Sequence, residues 1–432
     1  MGVEKGMRPG FCTGVCEECG RCLIPDTGWR MEKKDRRPRT EDRGKGKNVL
    51  LIADIGTTTI ALNAVDKEKR RVIHTATMLN PQIRFGADVI TRISHEKKVR
   101  QVKTIDILSR FITLNGLDRR KFVTVVGNTV MMHFLFGKSP KGLGVYPYTS
   151  RLPLRKVLER RRNGLRLRTL PLLGAFLGSD CTAAILAAGI HQTRSLTLLI
   201  DAGTNGEVVL GNRERIVACS TAAGPAFEGA TLSCGALAVP GAIASCRFYQ
   251  GGWHLKTVGG LAPEGICGSG VLDAIAEGVK AGLITKSGRL KKKERLVLYE
   301  QGSSAVYLTQ ADIREVQLAK AAIASGIKVL LREWQNDGGE ATDALRVFIT
   351  GRFGGRINPQ SAFRIGLLPG MVQSLYQHPD LALTGAKKAV LQPELLAAAK
   401  RVADITEEIL LSTNPVFQDW FINSMELSPW RL

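Results

Sequence analysis

Two kinds of residue in this chain could do chemistry by type and spacing. The first is a pair of matching turns. In LLIADIGTTTIALNAVD (50–66) an apolar run ends at Asp54, then Gly56, Thr57 and Thr58 precede a second apolar run. In SLTLLIDAGTNGEVVLGN (195–212) the same form returns with Asp201, Gly203, Thr204, Asn205 and Gly206. A glycine after the aspartate lets the chain turn sharply and keeps side chains away from a ligand. Backbone N–H groups and threonine hydroxyls can then point at phosphate oxygens. The aspartates suit Mg²⁺, which takes one or two carboxylates together with substrate phosphates and water. One such turn could be an ordinary hairpin. Two copies, each behind an apolar strand, point to a duplicated clamp on a polyphosphate.

The second is a cluster of thiols. Cys12, Cys16, Cys19 and Cys22 fall in CTGVCEECGRC with the spacing C-x₃-C-x₂-C-x₂-C. Thiolates in this number suit an iron–sulfur cluster or zinc, and so short a segment would owe its order to the metal. Three readings stay open: a 4Fe–4S cluster, structural zinc, or a metal-free tail that is disordered or forms disulfides. The set also contains the C-x₃-C-x₂-C spacing of radical S-adenosylmethionine enzymes, but no repeated β/α barrel pattern follows it.

Composition bounds the rest. The 432 residues suffice for two or three domains, and 44% hydrophobic residues is normal for a globular protein. No run reads as a membrane span; the nearest, PLLGAFLGSDCTAAILAAGI (171–190), is broken by Ser179, Asp180 and glycines. The N-terminus lacks the apolar core of a signal peptide, so a cytoplasmic protein is expected. The net charge of +22 suggests an acidic partner or nucleic acid. Much of it sits in two runs, 30–47 and 151–168, which read as solvated linker or helix faces. Without an aromatic-rich basic motif the case for nucleic acid rests on charge alone. The other five cysteines, Cys181, Cys219, Cys234, Cys246 and Cys267, read as reduced and buried.

The elements that must position these residues alternate in type, which indicates an α/β fold. Strands are predicted around both aspartate turns, at FVTVVGN (122–128) and at ALRVFITG (344–351). A long amphipathic helix is predicted over 311–334, with Asp312 and Glu315 near its start. The expected domains are a cysteine segment (1–29), a charged flexible linker (30–47), a first lobe (48–192) and a second lobe (193–432). GICGSG (265–270) before a helical run could bind phosphate through Gly268 or be a tight packing turn. AGPAFEGA (223–230), with Gly224, Pro225, Glu228 and Gly229, could shape a cleft or a partner surface, or be a plain turn. Asn128 and His133 follow a strand end, where a lone histidine is more often structural than catalytic.

On these residues the chain resembles the actin, sugar kinase and Hsp70 ATPase superfamily. DIGTTT and DAGTNGE look like its two phosphate motifs. VFITGRFGG (347–355), with Gly351 and Gly354, looks like its adenosine motif, although Arg352 stands where a second glycine is usual. More narrowly, NPQIRFGADVITRIS, GNTVMMHFLFG, STAAGPAFEGATLSCGA, GICGSGVLDAIAEG, LTQADIREVQLAKAAIASGI and RIGLLP resemble the reductive activators of corrinoid proteins. The resemblance implies a duplicated ribonuclease H-like, actin-like ATPase fold, two lobes around a nucleotide cleft that binds ATP and Mg²⁺. It further implies that an iron–sulfur cluster passes one electron to an inactive Co(II) corrinoid on a partner corrinoid protein or methyltransferase. An external ferredoxin-type donor and a homodimer are open under it. The chain departs from that family's best-known members in having too few residues before Asn48 for a plant-type ferredoxin domain. HPDLALTGA (378–386) also stands where a Gly-Asn pair is expected. Two other readings remain: an activator of an enzyme such as a 2-hydroxyacyl-CoA dehydratase, or a small-molecule kinase with a zinc-bound N-terminal segment. For the kinase no aspartate stands out as the base.

Overall fold

Runs such as VLLIADI and TLLIDA put β-branched and leucine side chains on both faces of a strand, which suits a strand buried on both sides. In the computed structural model both are the central strands of six-stranded sheets. The structure describes residues 48–118, 122–229, 231–291, 294–339, 345–370 and 372–431, without the side chains of Glu228 and Arg352. The cysteine segment and the charged linker lie outside the described residues.

The first sheet holds β1 (Val49–Ile55), β2 (Thr59–Asp66), β3 (Arg71–Leu79), β4 (Phe122–Val126), β5 (Glu159–Arg162) and β6 (Leu165–Thr169), in the order β3-β2-β1-β4-β6-β5. β1, β2 and β3 form an antiparallel meander, while β4 runs parallel to β1 and β6 parallel to β4. Later in the chain come β7 (Thr197–Ala202), β8 (Gly206–Gly211) and β9 (Ile216–Thr221). An insertion then supplies β10 (Ala242–Tyr249), β11 (Gly252–Thr257) and β12 (Gly265–Ile266) as one small sheet. β13 (Arg295–Gln301) and β14 (Ser304–Thr309) form a hairpin. β15 (Arg346–Thr350), β16 (Ser374–Gln377) and β17 (Thr406–Glu408) complete the second large sheet, ordered β16-β15-β7-β8-β9-β17. Five strands of one sheet thus match five of the other, β3-β2-β1-β4-β6 against β9-β8-β7-β15-β16. The echo between the two aspartate turns is therefore a duplication of the whole α/β unit.

The predicted long helix runs over Gln310–Asn336 and starts at a capping box. The Thr309 hydroxyl accepts from the Asp312 N–H at 3.2 Å, and the Asp312 carboxylate accepts from the Thr309 N–H at 2.7 Å. Among the described residues no helix is long and apolar enough to cross a membrane.

The compact units are not contiguous in sequence. Of the described residues, one holds those from 48 to 187 plus 382–404; the other holds those of 188–381 and 405–431. The helices Leu381–Leu391 and Glu394–Ile405 thus fall almost wholly with the first unit, whereas the sequence placed them in the second lobe. The reason is a backbone contact that only glycine permits. A Cβ on Gly385 would lie 1.8 Å from the Ala183 carbonyl oxygen, in the helix Ser179–Ala188. The basic run 151–168 also differs from its reading as a solvated linker or helix face. From Glu159 onward it forms the hairpin β5–β6 at the edge of the first sheet, register Arg161 opposite Arg166. Its Leu165 and Leu167 are fully buried, so period-two alternation won over the charge.

Candidate functional site

In the first unit, Asp54 sits next to last on β1, opposite Ala61 of β2 and beside Val126 of β4. Gly56 is required where the chain turns, since a Cβ there would lie 2.8 Å from the Thr59 carbonyl oxygen. Asn80 braces the turn by donating to the Gly56 carbonyl at 2.8 Å, and its own N–H donates to the Thr58 carbonyl at 2.8 Å. Asn128 caps the helix Thr129–Phe136, accepting from the Met131 N–H at 2.9 Å. Its amide donates to the Thr57 hydroxyl at 2.9 Å, which fixes that oxygen in the turn. Asn128 is thus a positioning residue. His133 is the structural histidine its isolation suggested. It is fully buried, bonded to the Thr129 carbonyl (2.7 Å) and the Arg151 N–H (3.0 Å), and burial lowers its pKa.

In the second unit, Asp201 takes the same place on β7, opposite Glu207 of β8 and beside Thr350 of β15. Gly203, Thr204 and Asn205 form the turn. Gly203 has open space on its Cβ side except for the Asn205 carbonyl at 3.3 Å, while Thr204 is buried. Gly206 serves packing, because a Cβ there would meet the Thr221 hydroxyl at 2.6 Å. Gly351 follows β15 with φ +90, and a Cβ on it would lie 2.7 Å from a carboxylate oxygen of Asp201. Gly127 follows β4 in the same position of the first unit, where a Cβ would meet the Ile55 carbonyl at 2.6 Å. Each parallel neighbour strand therefore ends in a glycine that lets backbone close on the aspartate strand, and Gly127 was not recognised as the counterpart of Gly351.

The other glycine motifs pack. Gly268 opens the helix Gly268–Lys280, yet a Cβ on it would lie 1.8 Å from the Phe227 carbonyl oxygen, which favours the packing turn. Phe227 comes from AGPAFEGA and stacks on Phe353 with ring centroids 4.4 Å apart. Gly354 packs similarly, its Cβ position 2.6 Å from Ile349. These contacts form the floor under the adenosine-like turn.

Two features escaped the sequence. Asp180, at the start of the helix Ser179–Ala188, was noted only as a charge breaking an apolar run. Ser179 donates its N–H to the Gly127 carbonyl at 3.0 Å, which ties this helix start to the β4 end beside Asp54. Desolvation raises the Asp180 pKa to about 6, against the bond its carboxylate accepts from the Cys181 N–H at 2.8 Å. A carboxyl with that value, at the same sheet end as Asp54, suits proton transfer near neutral pH. The second feature is a polar cleft of ≈ 610 Å³ in the second unit, lined by Asp273, Glu277, Lys280, Arg356 and Asn358 among others. Its size fits a small-molecule ligand. Asp273, Glu277 and Lys280 recur at i, i+4 and i+7, one face of a helix, a spacing that any helix shares and so a weak signal. Asp273 accepts from the Ser361 hydroxyl at 2.6 Å, and Glu277 pairs with Arg364 at 3.1 Å, so both acids brace the wall.

Among the described residues no group of three or more His, Cys, Asp or Glu is placed to hold a metal ion. The donors at Asp54 and Asp201 fit Mg²⁺ in kind, since it needs few carboxylates once phosphates and water contribute. Cys12, Cys16, Cys19 and Cys22 lie outside the described residues; their four thiols fit an iron–sulfur cluster by donor type. The five remaining cysteines form no disulfide among the described residues and, except half-buried Cys234, are buried; burial pushes the Cys219 and Cys246 thiols up.

The chain matches two family models. Residues 50–193 match the RACo middle region, and residues 195–431 match the C-terminal domain of RACo, the ASKHA domain. It is 33% identical to the corrinoid activation enzyme RamQ of Eubacterium limosum, covering 88% of this chain and 71% of that protein. It is 26% identical to the Co(II) methylated amine-specific corrinoid protein reductase of Methanosarcina barkeri, covering 88% and 77% respectively. Among solved structures it resembles a reductive activator for a corrinoid, iron–sulfur protein, with a TM-score of 0.75 and 30% identity, over 89% of this chain and 67% of that one. Duplicated sheets, paired aspartate turns and these matches agree, and the chain belongs to the family of reductive activators of corrinoid proteins.

Proposed function

We infer that this chain is an ATP-coupled reductive activator that delivers one electron to an inactive Co(II) corrinoid held by a partner protein. The observation that carries the reading is the recurrence of one aspartate–glycine–threonine turn, at equivalent strand positions, in both sheets of a chain of this family. In each unit the turn offers backbone N–H groups and hydroxyls to phosphate oxygens: Thr57 and Thr58 in one, Thr204 and Asn205 in the other. Asp54 in the one unit and Asp201 in the other are each a carboxylate of the kind that Mg²⁺ takes, directly or through water, and Mg²⁺ when bound would neutralise charge on the phosphates. The cleft beside Arg356 and Asn358 takes the nucleoside, with Glu277 and Lys280 as its polar contacts. Asp180 accepts a proton from water as the phosphate bond is cleaved. Cys12, Cys16, Cys19 and Cys22 would hold an iron–sulfur cluster of the 4Fe–4S type, which when bound would supply a one-electron carrier; a ferredoxin-type protein would be the matching external donor.

Calorimetry with Mg-ATP tests the phosphate site. Asp54→Ala and Asp201→Ala should each weaken binding about tenfold or more, as expected when a charge-assisted contact worth roughly 1.5–3 kcal/mol is removed. The thermal midpoint without nucleotide should stay within a few degrees, about what 1 kcal/mol does in a chain of this size. Unchanged affinity in both variants would remove the basis for the site.

A further inference from the structure

The outer face of the β5–β6 hairpin gathers cations in a way that a sheet does not need. Register places Arg161 directly across from Arg166, and Phe122 beside Arg166, all on one face. The Arg166 and Arg168 guanidiniums lie 4.0 and 4.3 Å from the Phe122 ring centroid. Arg168 pairs with Glu159 at 2.6 Å; among the described residues no carboxylate pairs with Arg161 or Arg166. Like charges directly opposite destabilise a strand pair. Charges can blunt an edge strand against aggregation, but Arg160 and Arg162 already serve the hairpin's other face. They donate to the Phe136 and Phe134 carbonyls at 3.1 and 3.0 Å, capping the end of the helix Thr129–Phe136.

The N-terminal cysteine stretch has a sign opposite to that of the +22 chain as a whole. Residues 12–29 carry Glu17, Glu18 and Asp26 against Arg21 alone, together with the four cysteines. Four thiolates around either a 4Fe–4S core or zinc add further negative charge, so the sign does not depend on the metal. The linker 30–47 is basic and is repelled by the same face. It leads into β1, and β1 lies three strand spacings from β5, about 14 Å. The linker's 18 residues span at most roughly 60 Å, so reach sets no limit.

We propose that the β5–β6 face, with Arg161, Arg166 and Arg168, is the resting seat of the same chain's acidic cysteine segment, residues 12–29. The seat rests on the reading of that segment as the metal-bearing electron carrier only for the size of its charge. Occupied, it keeps the cysteines on the first unit until a partner draws them off.

Hydrogen–deuterium exchange on the full anaerobic chain tests this without any turnover. β5 is an edge strand, so a docked segment should slow amide exchange over 159–162 about fivefold relative to a Glu17→Lys/Glu18→Lys variant. The protection should vanish in 0.5 M NaCl, where the screening length falls to roughly 4 Å. Arg161→Glu/Arg166→Glu should lose it as well, and combining the two charge reversals should restore it. Equal exchange in all forms would overturn the seat. So would protection that grows with protein concentration, which would mean a second copy, or protection that appears only with the corrinoid partner. A failure of this kind leaves cobalt reduction to be judged separately.

Discussion

Removing residues 1–30 should stop cobalt reduction while leaving partner-stimulated ATP turnover in place. The electron needs a one-electron carrier. Among the described residues neither a metal-binding group nor an exposed thiol supplies one: Cys181, Cys219, Cys246 and Cys267 are buried and Cys234 is half-buried. The elements that carry the aspartate turns begin at β1, and among the described residues the buried core of the first unit starts at Val49. Stopped-flow absorbance of the partner's corrinoid reads Co(I) formation, and phosphate release reads turnover. Replacing Cys12 and Cys16 with serine should reproduce the truncation and abolish visible charge-transfer absorption, with Mg-ATP affinity unchanged. Full-rate reduction by the truncated chain, with the same chemical donor, would take the cysteine segment off the electron route.

Asp180→Asn should slow ATP turnover about 10²- to 10⁴-fold, the usual contribution of a general base. Mg-ATP affinity should change by no more than about threefold, because the variant keeps an oxygen for the Cys181 N–H and removes only the basic site. Turnover of the wild-type chain should decline below about pH 6, as the carboxylate protonates. The sign for stability is opposite. Asp180 has a folded pKa raised from 3.8 to about 6 by desolvation, so its contribution is greatest below the unfolded value and is lost as pH rises through about 6. At pH 7 the ionised group therefore costs stability, and Asp180→Asn should hold or raise the thermal midpoint. Loss of turnover with no loss of stability marks a group kept for function. A variant that turns over ATP at the wild-type rate would remove Asp180 from the reaction.

How legible the molecule was in its sequence differs by feature. The turns at Asp54 and Asp201 were readable because aspartate, glycine and threonine recur in the same order behind an apolar strand in both copies. Their strands were readable because central strands are apolar throughout. Asp180 was hidden because an acid whose carboxyl is raised by desolvation looks, in sequence, like a flaw in an apolar run. The Asp273–Glu277–Lys280 face was hidden for a related reason: its spacing is that of any helix, and only the wall opposite, at Arg356 and Asn358, gives it a purpose. The grouping of 382–404 with the first unit could not be read at all, since it rests on a close backbone approach at Gly385 to a residue some two hundred positions earlier. In the basic run 151–168 the charges dominated the sequence reading, whereas the alternation of Leu165 and Leu167 set the fold.

The most direct test of the central claim is the Co(II) signal of a purified corrinoid partner, followed by electron paramagnetic resonance under anaerobic conditions. With the full chain, a low-potential donor and Mg-ATP, the account predicts that the Co(II) signal disappears as Co(I) forms, and far more slowly when ATP is left out. A Co(II) signal that persists with the chain and Mg-ATP present, or that decays equally fast without either, would contradict it.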